Sequence, residues 1–147
     1  MYQQILVATD GSELSKKAVS SAIALASLTG AGLIAIKVVP RYPQSYFEGG
    51  LALTATDVGR VEKQWYDEGL AVVEEVKQAA LARGIQALAV TVQSDVVSDA
   101  IVATAKKYQC DLIVMASHGR KGVERLLLGS ETQQVLTHSH IPVLVLR

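Results

Sequence analysis

The chain has 147 residues, half of them hydrophobic, with 14 basic and 14 acidic side chains in balance, eleven glycines, three prolines and one cysteine. A chain of this length buries about 68–70% of the surface its unfolded form exposes, so it needs neither a disulfide nor a structural metal to hold a core. A formal net charge of zero argues against a nucleic-acid partner, whose phosphates call for a concentrated basic surface, and no apolar run nears the roughly 18 residues of a membrane span.

Ile5, Leu6, Val7 and Ala8 form a wholly apolar run ending at Thr9-Asp10-Gly11-Ser12, which predicts a strand buried on both faces that runs into a turn. From Leu14 onward, Ala18, Val19, Ala22, Ile23 and Leu25 recur at helical spacing, and Gly30 supplies a stop. Residues 33–39 are again apolar and β-branched, apart from Lys37, and Pro40 closes this second strand. Residues 41–56 hold Pro43, the Gly49-Gly50 pair and the aromatics Tyr42, Tyr46 and Phe47; a stretch this irregular and this long in a compact domain is usually functional or mobile.

A second helix carries Val61, Trp65, Val72, Val73, Val76 and Ala80 on one stripe and ends at Gly84. Residues 85–92 predict a third strand, and Asp95 is placed to cap a helix bearing Val97, Ile101, Ala105 and Tyr108. Residues 112–116 predict the fourth strand. A loop with Gly119, Gly122 and Gly129 follows, then a short helix over 131–137, and Pro142 introduces a last strand over 143–146.

Strands alternate with helices throughout, and the strands are apolar runs instead of alternating patterns. The expected fold is therefore α/β: a doubly wound, five-stranded parallel sheet with helices on both faces and right-handed crossovers. No repeat, linker or low-complexity tract divides the chain, so residues 1–147 read as one domain.

Ligands of open parallel sheets bind beyond the carboxyl ends of the strands, where the winding direction reverses. The turn after strand one, Asp10-Gly11-Ser12, and the turn after strand four, Ser117-His118-Gly119, are neighbours if those strands flank the reversal. Glycines at 119, 122 and 129 permit positive φ and close backbone approach, Ser130 stands where the last helix starts, and Arg120, Lys121 and Arg125 add positive charge. Together they form a candidate phosphate cradle. The same glycines can instead only shape a surface loop, with Ser130 as a helix cap. Asp10 has two readings as well. Its carboxylate caps the first helix, with Glu13 completing a capping-box-like pair, or it meets ribose hydroxyls or a magnesium ion through water.

Thr9-Asp10-Gly11-Ser12, the fourth strand from Asp111 to Met115, Ser117-His118-Gly119, nine residues, Gly129-Ser130, and finally Ile141-Pro142-Val143-Leu144-Val145 resemble the universal stress protein family along nearly the whole chain. The ATP-binding branch of that family carries Gly, two residues, Gly, nine residues, then Gly and Ser or Thr. Gly119, Gly129 and Ser130 match, whereas Ala116 stands in place of the first glycine. The resemblance implies a Rossmann-like, adenine nucleotide alpha hydrolase-like fold and a site for ATP with Mg2+. In that site Asp10 meets the ribose or the metal, and the backbone of Val38 or Val39 holds adenine. Ala116, Ser117, His118, Gly119, Gly129 and Ser130 line the ribose and phosphates, with Met115 against the adenine or in the core. It further implies a homodimer paired through the last strand, whose edge a monomer leaves unprotected, and a nucleotide-responsive regulatory role in stress adaptation.

No side chain is evidently placed to activate water, so hydrolysis, if any, is expected to be slow. His118 can touch a phosphate or orient its loop, and no acid or nucleophile at fixed spacing accompanies it. His138 and His140 lack the partners of a zinc site. Two rival readings share the fold. In one, Ala116 marks a pocket that no longer takes a nucleotide, and dimerisation or partner docking is the function. In the other, the protein cleaves ATP between the α and β phosphates, although the glycine-serine loop after strand one that this chemistry uses is absent. The lone Cys110 cannot form an internal disulfide, and no secretory leader is evident, so the cytoplasm is the expected compartment.

Overall fold

The computed structural model describes residues 1–43, 54–119 and 128–147. The elements are β1 (Gln4–Ala8), α1 (Glu13–Thr29), β2 (Gly32–Val39), α2 (Ala55–Leu81), β3 (Ala87–Gln93), α3 (Val97–Lys107), β4 (Leu112–Ala116), α4 (Ser130–His138) and β5 (Val143–Leu146). The strands lie in the order β3-β2-β1-β4-β5 and every pair is parallel. The winding reverses at β1, which pairs with β2 on one side and, through Ile5 opposite Leu112 and Val7 opposite Val114, with β4 on the other. The sequence expectation of a doubly wound parallel sheet is met.

Because successive side chains of a strand point to opposite faces, the apolar runs feed two cores. Ile5, Val7, Leu33, Ala35, Leu112 and Val114 pack beneath α1 and α2, against Ala18, Ala22, Ala26, Val73 and Ala80. Leu6, Ile34, Ile36, Val38, Ile113 and Met115 pack beneath α3 and α4, against Ala100, Ile101, Ala105 and Val135.

The helix ends depart from expectation in instructive ways. Ser12, not Asp10, caps α1: its Oγ accepts the Ser15 amide at 3.2 Å. Asp10 stands too far ahead of the helix, and its Oδ1 accepts the Ser12 amide at 2.9 Å, holding the turn that leads into the cap. The Glu13 carboxylate pairs with Lys16 instead of reaching back to the cap. At α3, Val96 occupies the cap position without a side-chain bond, and Ser94, not Asp95, accepts the Val96 amide at 3.1 Å. Helix α2 starts at Ala55, inside the stretch expected to be irregular, because Thr54 accepts the Asp57 amide at 3.2 Å and donates to its carboxylate at 2.8 Å. Tyr46, Phe47, Gly49 and Gly50 lie outside the described residues. Strand β3 begins at Ala87, because the Ile85 amide is spent on the Ala80 carbonyl at 3.0 Å in closing α2.

Three helices close in one way, with a left-handed residue followed by a buried one. Gly30 precedes Ala31, Gly84 precedes Ile85, and Gln109 precedes Cys110. In the third case the Gln109 amide reaches Lys106 at 3.1 Å and the Cys110 amide reaches Ala105 at 2.8 Å, but Gln109 holds φ 55° without being a glycine. A Cβ in that region costs about 1–2 kcal/mol, and the extra freedom of an unfolded glycine offsets part of it. Gln109→Gly is therefore expected to raise stability by about 0.5–1 kcal/mol in urea denaturation; an unchanged or lower midpoint would show that this turn is unstrained.

Burial, reinforced by the neighbouring Asp111 charge, pushes the Cys110 thiol up to about 11 from its ordinary 9.0. The native fold favours the neutral thiol, so this contribution is complete below pH 9 and is lost as pH climbs through 11. A thiol reagent at pH 8 is expected to label Cys110 only after denaturant unfolds the protein; prompt labelling of the folded chain would contradict that burial.

Candidate functional site

The crevice at the carboxyl ends of β1 and β4 is built by what stops each strand. The Thr9 amide, one residue past the last register pair of β1 with β2 (Ala8 opposite Ile36), bonds the Ile36 carbonyl at 3.0 Å. In a parallel strand alternate residues bond to opposite neighbours, so Val38, like Ile36, turns its amide and carbonyl to the β1 side, beyond the point where β1 has ended. Val39 turns the other way, and its carbonyl accepts the Ser94 amide at 3.0 Å. Of the two residues considered for base recognition, Val38 alone presents its backbone to the crevice.

The turn after β1 is internally locked. The Gly11 amide donates to Thr9 Oγ1 at 3.2 Å, and that hydroxyl lies 3.1 Å from Ser15 Oγ. Gly11 holds φ 80°, where a glycine is the residue without a penalty. Asp10 is half-buried, with Oδ1 engaged by Ser12 and Oδ2 turned toward Gly119, where a Cβ would lie 2.8 Å from that oxygen. The two turns are neighbours, as the strand order requires.

On the β4 side the protein uses much of its own backbone. The Ser117 amide donates to Leu146 at 2.7 Å, and the Ser117 carbonyl accepts the Gly129 amide at 2.7 Å. The Ala116 carbonyl accepts Thr132 Oγ1 at 3.0 Å, and Ser117 Oγ lies 3.1 Å from His118 Nδ1. A Cβ on Gly129 would lie 3.2 Å from His118 Cα and 3.3 Å from the Ser117 carbonyl oxygen. The start of α4 is thus stapled to the end of β4. With Gly129 at the cap position, the first-turn amides of Ser130, Glu131 and Thr132 are the ones for which the helix offers no acceptor. They lie where the helix dipole favours an anion. Ser130 Oγ donates to Glu131 at 2.9 Å.

Neither Gly119 nor Gly129 adopts positive φ, contrary to one of the two reasons for expecting glycine there. Both satisfy the other reason, since backbone or carboxylate sits where a side chain would begin. Arg120, Lys121, Gly122 and Arg125 lie outside the described residues. Met115 is buried in the core beneath α3 and α4, and Ala116 is buried at the strand end. His138 and His140 are exposed. Among the described residues no three His, Cys, Asp or Glu side chains come together as a metal site, and no helix is long and apolar enough to cross a membrane.

Two features escaped the sequence reading. Thr132, 2% exposed, ties α4 to β4 through its hydroxyl; a Thr two residues after Gly129-Ser130 was the available signal. Glu62 on α2 accepts the Tyr42 amide at 2.9 Å and Gln93 Nε2 at 2.8 Å, and the Tyr42 ring stacks on Trp65 with centroids 6.1 Å apart. The Tyr42 bond first, then Gln93 and the Arg41 charge, hold the Glu62 carboxyl below its ordinary 4.5 despite some desolvation. No local pattern announces this cluster.

The sequence model of the universal stress protein family matches residues 1–147. Universal stress protein MJ0531 of Methanocaldococcus jannaschii is 34% identical over 147 residues, spanning 100% of this chain and 83% of its own. Among solved structures, that of MJ0577 from the same organism superposes with a TM-score of 0.84 at 27% identity, covering 99% of this chain and 96% of the other. A universal stress protein solved in complex with cAMP superposes at 0.69 with 29% identity, covering 99% and 97%. Matched from its first residue to its last, and folded as these relatives are, the chain belongs to the universal stress protein family.

Proposed function

We propose that this protein binds ATP in the crevice between the β1 and β4 turns and acts as a nucleotide-responsive regulatory switch in the cytoplasm during stress. The observation that carries the reading is the stapling of the first turn of α4 beside the His118 turn, which pre-organises its amides for an anion without an ordering cost at binding. The cAMP complex of a 29% identical relative supports an adenine nucleotide as the class of ligand. In this reading Val38 offers one amide and one carbonyl to the base, and Asp10 accepts from the ribose. Gly119, Gly129 and Ser130 give the phosphates room and donors, and His118 flanks them.

Mg2+ fits the donor set only as a phosphate companion. Asp10 is a single carboxylate with one oxygen already engaged, and Mg2+ is commonly held by one or two carboxylates, waters and phosphate oxygens. When bound, the ion would neutralise phosphate charge beside Asp10. A homodimer through β5 is part of the proposal: Val143–Leu146 is an edge strand, and Leu144 on it stays 38% exposed.

The Gly129 amide, already bonded within the protein, favours the rival reading of a dimeric interaction protein that holds no nucleotide. Analysis of small molecules released on denaturing the purified protein, followed by calorimetric titration with ATP, ADP and AMP with and without Mg2+, decides between them. Recovered or tightly titrating ATP is expected; absence of heat with all three nucleotides would overturn the proposal in favour of its rival.

A further inference from the structure

Glu62 stands two turns into α2 and gathers three elements. One carboxylate oxygen takes the Tyr42 amide, just beyond β2, and the other takes the side chain of Gln93, the last residue of β3. One turn further along α2, Trp65 stacks on the Tyr42 ring. The chain leaving β2 is therefore fastened to α2 by its backbone and by its side chain. Val38 precedes this fastening by four residues. It is held on the β3 side by the ladder that runs to Val39 opposite Gln93, and on the β1 side β1 has ended at Ala8, so no strand among the described residues holds it there.

We infer that Glu62 is a positioning residue for base recognition: its clamp on Tyr42 and Gln93 fixes the exit of β2, so that the Val38 amide and carbonyl keep one orientation toward the crevice. The inference rests on the nucleotide reading above. Reading a purine edge takes a donor and an acceptor in fixed relation. A strand end that must be ordered at binding weakens affinity by about tenfold for each residue fixed. The phosphate end of the crevice, built by α4 and β4, is independent of the clamp, so the loss falls on the base alone.

Calorimetry on the full-length wild type, Glu62→Ala, Glu62→Gln and Gln93→Ala, with ATP, GTP and inorganic tripolyphosphate as ligands, tests this. Emission of Trp65, the sole tryptophan, reports the stack, and urea denaturation checks the fold. Glu62→Ala is expected to bind ATP about tenfold more weakly, to narrow the ATP-to-GTP ratio, to bind tripolyphosphate as the wild type does, and to shift Trp65 emission. Glu62→Gln keeps an acceptor for the Tyr42 amide and should recover part of the loss, and Gln93→Ala should show a smaller loss of the same pattern. Equal weakening for ATP and tripolyphosphate, or unchanged ATP affinity in a folded Glu62→Ala protein, overturns the inference while leaving nucleotide binding intact. A wild type that binds no ATP overturns the nucleotide reading and this inference with it.

Discussion

Gly129→Val is expected to weaken ATP binding by at least about 100-fold, a loss of about 2.7 kcal/mol, while the protein remains folded. A Cβ at this position meets backbone and not a yielding side chain: His118 Cα at 3.2 Å and the Ser117 carbonyl oxygen at 3.3 Å. The two valine methyls extend that contact, so the first turn of α4 must move away from the end of β4. The 2.7 Å bond from the Gly129 amide to Ser117 lengthens with it, and the amides of Ser130, Glu131 and Thr132 no longer converge where a phosphate would sit. The backbone itself tolerates the change, since Gly129 is extended at φ −61° and ψ 156°, so the cost to folding stays near the 1–3 kcal/mol typical of overpacking. Gly129→Ala, with one carbon instead of three, should fall between. Calorimetric titration of ATP into each variant measures the effect; a folded Gly129→Val protein with wild-type affinity would show that the start of α4 does not contact the ligand.

The largest stability effect is expected at Gly69. This glycine lies in the interior of α2, where it costs about 1 kcal/mol relative to alanine by propensity alone, so helix formation does not account for it. Packing does: a Cβ there would lie 2.8 Å from Val39 Cγ1, 3.1 Å from Lys37 Cγ and 3.3 Å from Thr91 Cγ2. The missing side chain lets a 27-residue helix rest directly on β2 and β3. Gly69→Val should push α2 off both strands and lower stability by about 3 kcal/mol or more in urea denaturation, well beyond the gain in helix propensity. Because the added bulk presses on Val39, the neighbour of Val38, ATP affinity should fall as well. A denaturation midpoint equal to that of the wild type would show that the helix and sheet accommodate the bulk without separating.

The order of elements, the parallel sheet and the two turns at its reversal were legible in the residues. Apolar runs such as Ile5 to Ala8 declare strands buried on both faces, Gly30 and Gly84 declare helix ends, and the topology of alternating strands and helices leaves few ways to wind. Local chemistry misplaced the caps at Asp10 and Asp95 by one or two positions, because several polar residues in a row can each accept the first free amide, and the exact backbone torsions select among them. The glycines at 119 and 129 were found for a reason only half right, since close approach and positive φ leave the same mark on a sequence.

What the residue order determined by itself is therefore the set of elements and the end of the sheet that carries the crevice, through hydrophobic periodicity and turn propensity, both of which act over a few neighbouring residues. Tertiary structure alone decided that Val38 and not Val39 faces that crevice, that Gly129 spends its amide on Ser117, and that Glu62 joins Tyr42 to Gln93. Each of these depends on strand register or on contact between segments far apart in the chain, and the direction of a backbone hydrogen bond is decided only when a neighbouring strand arrives to accept it.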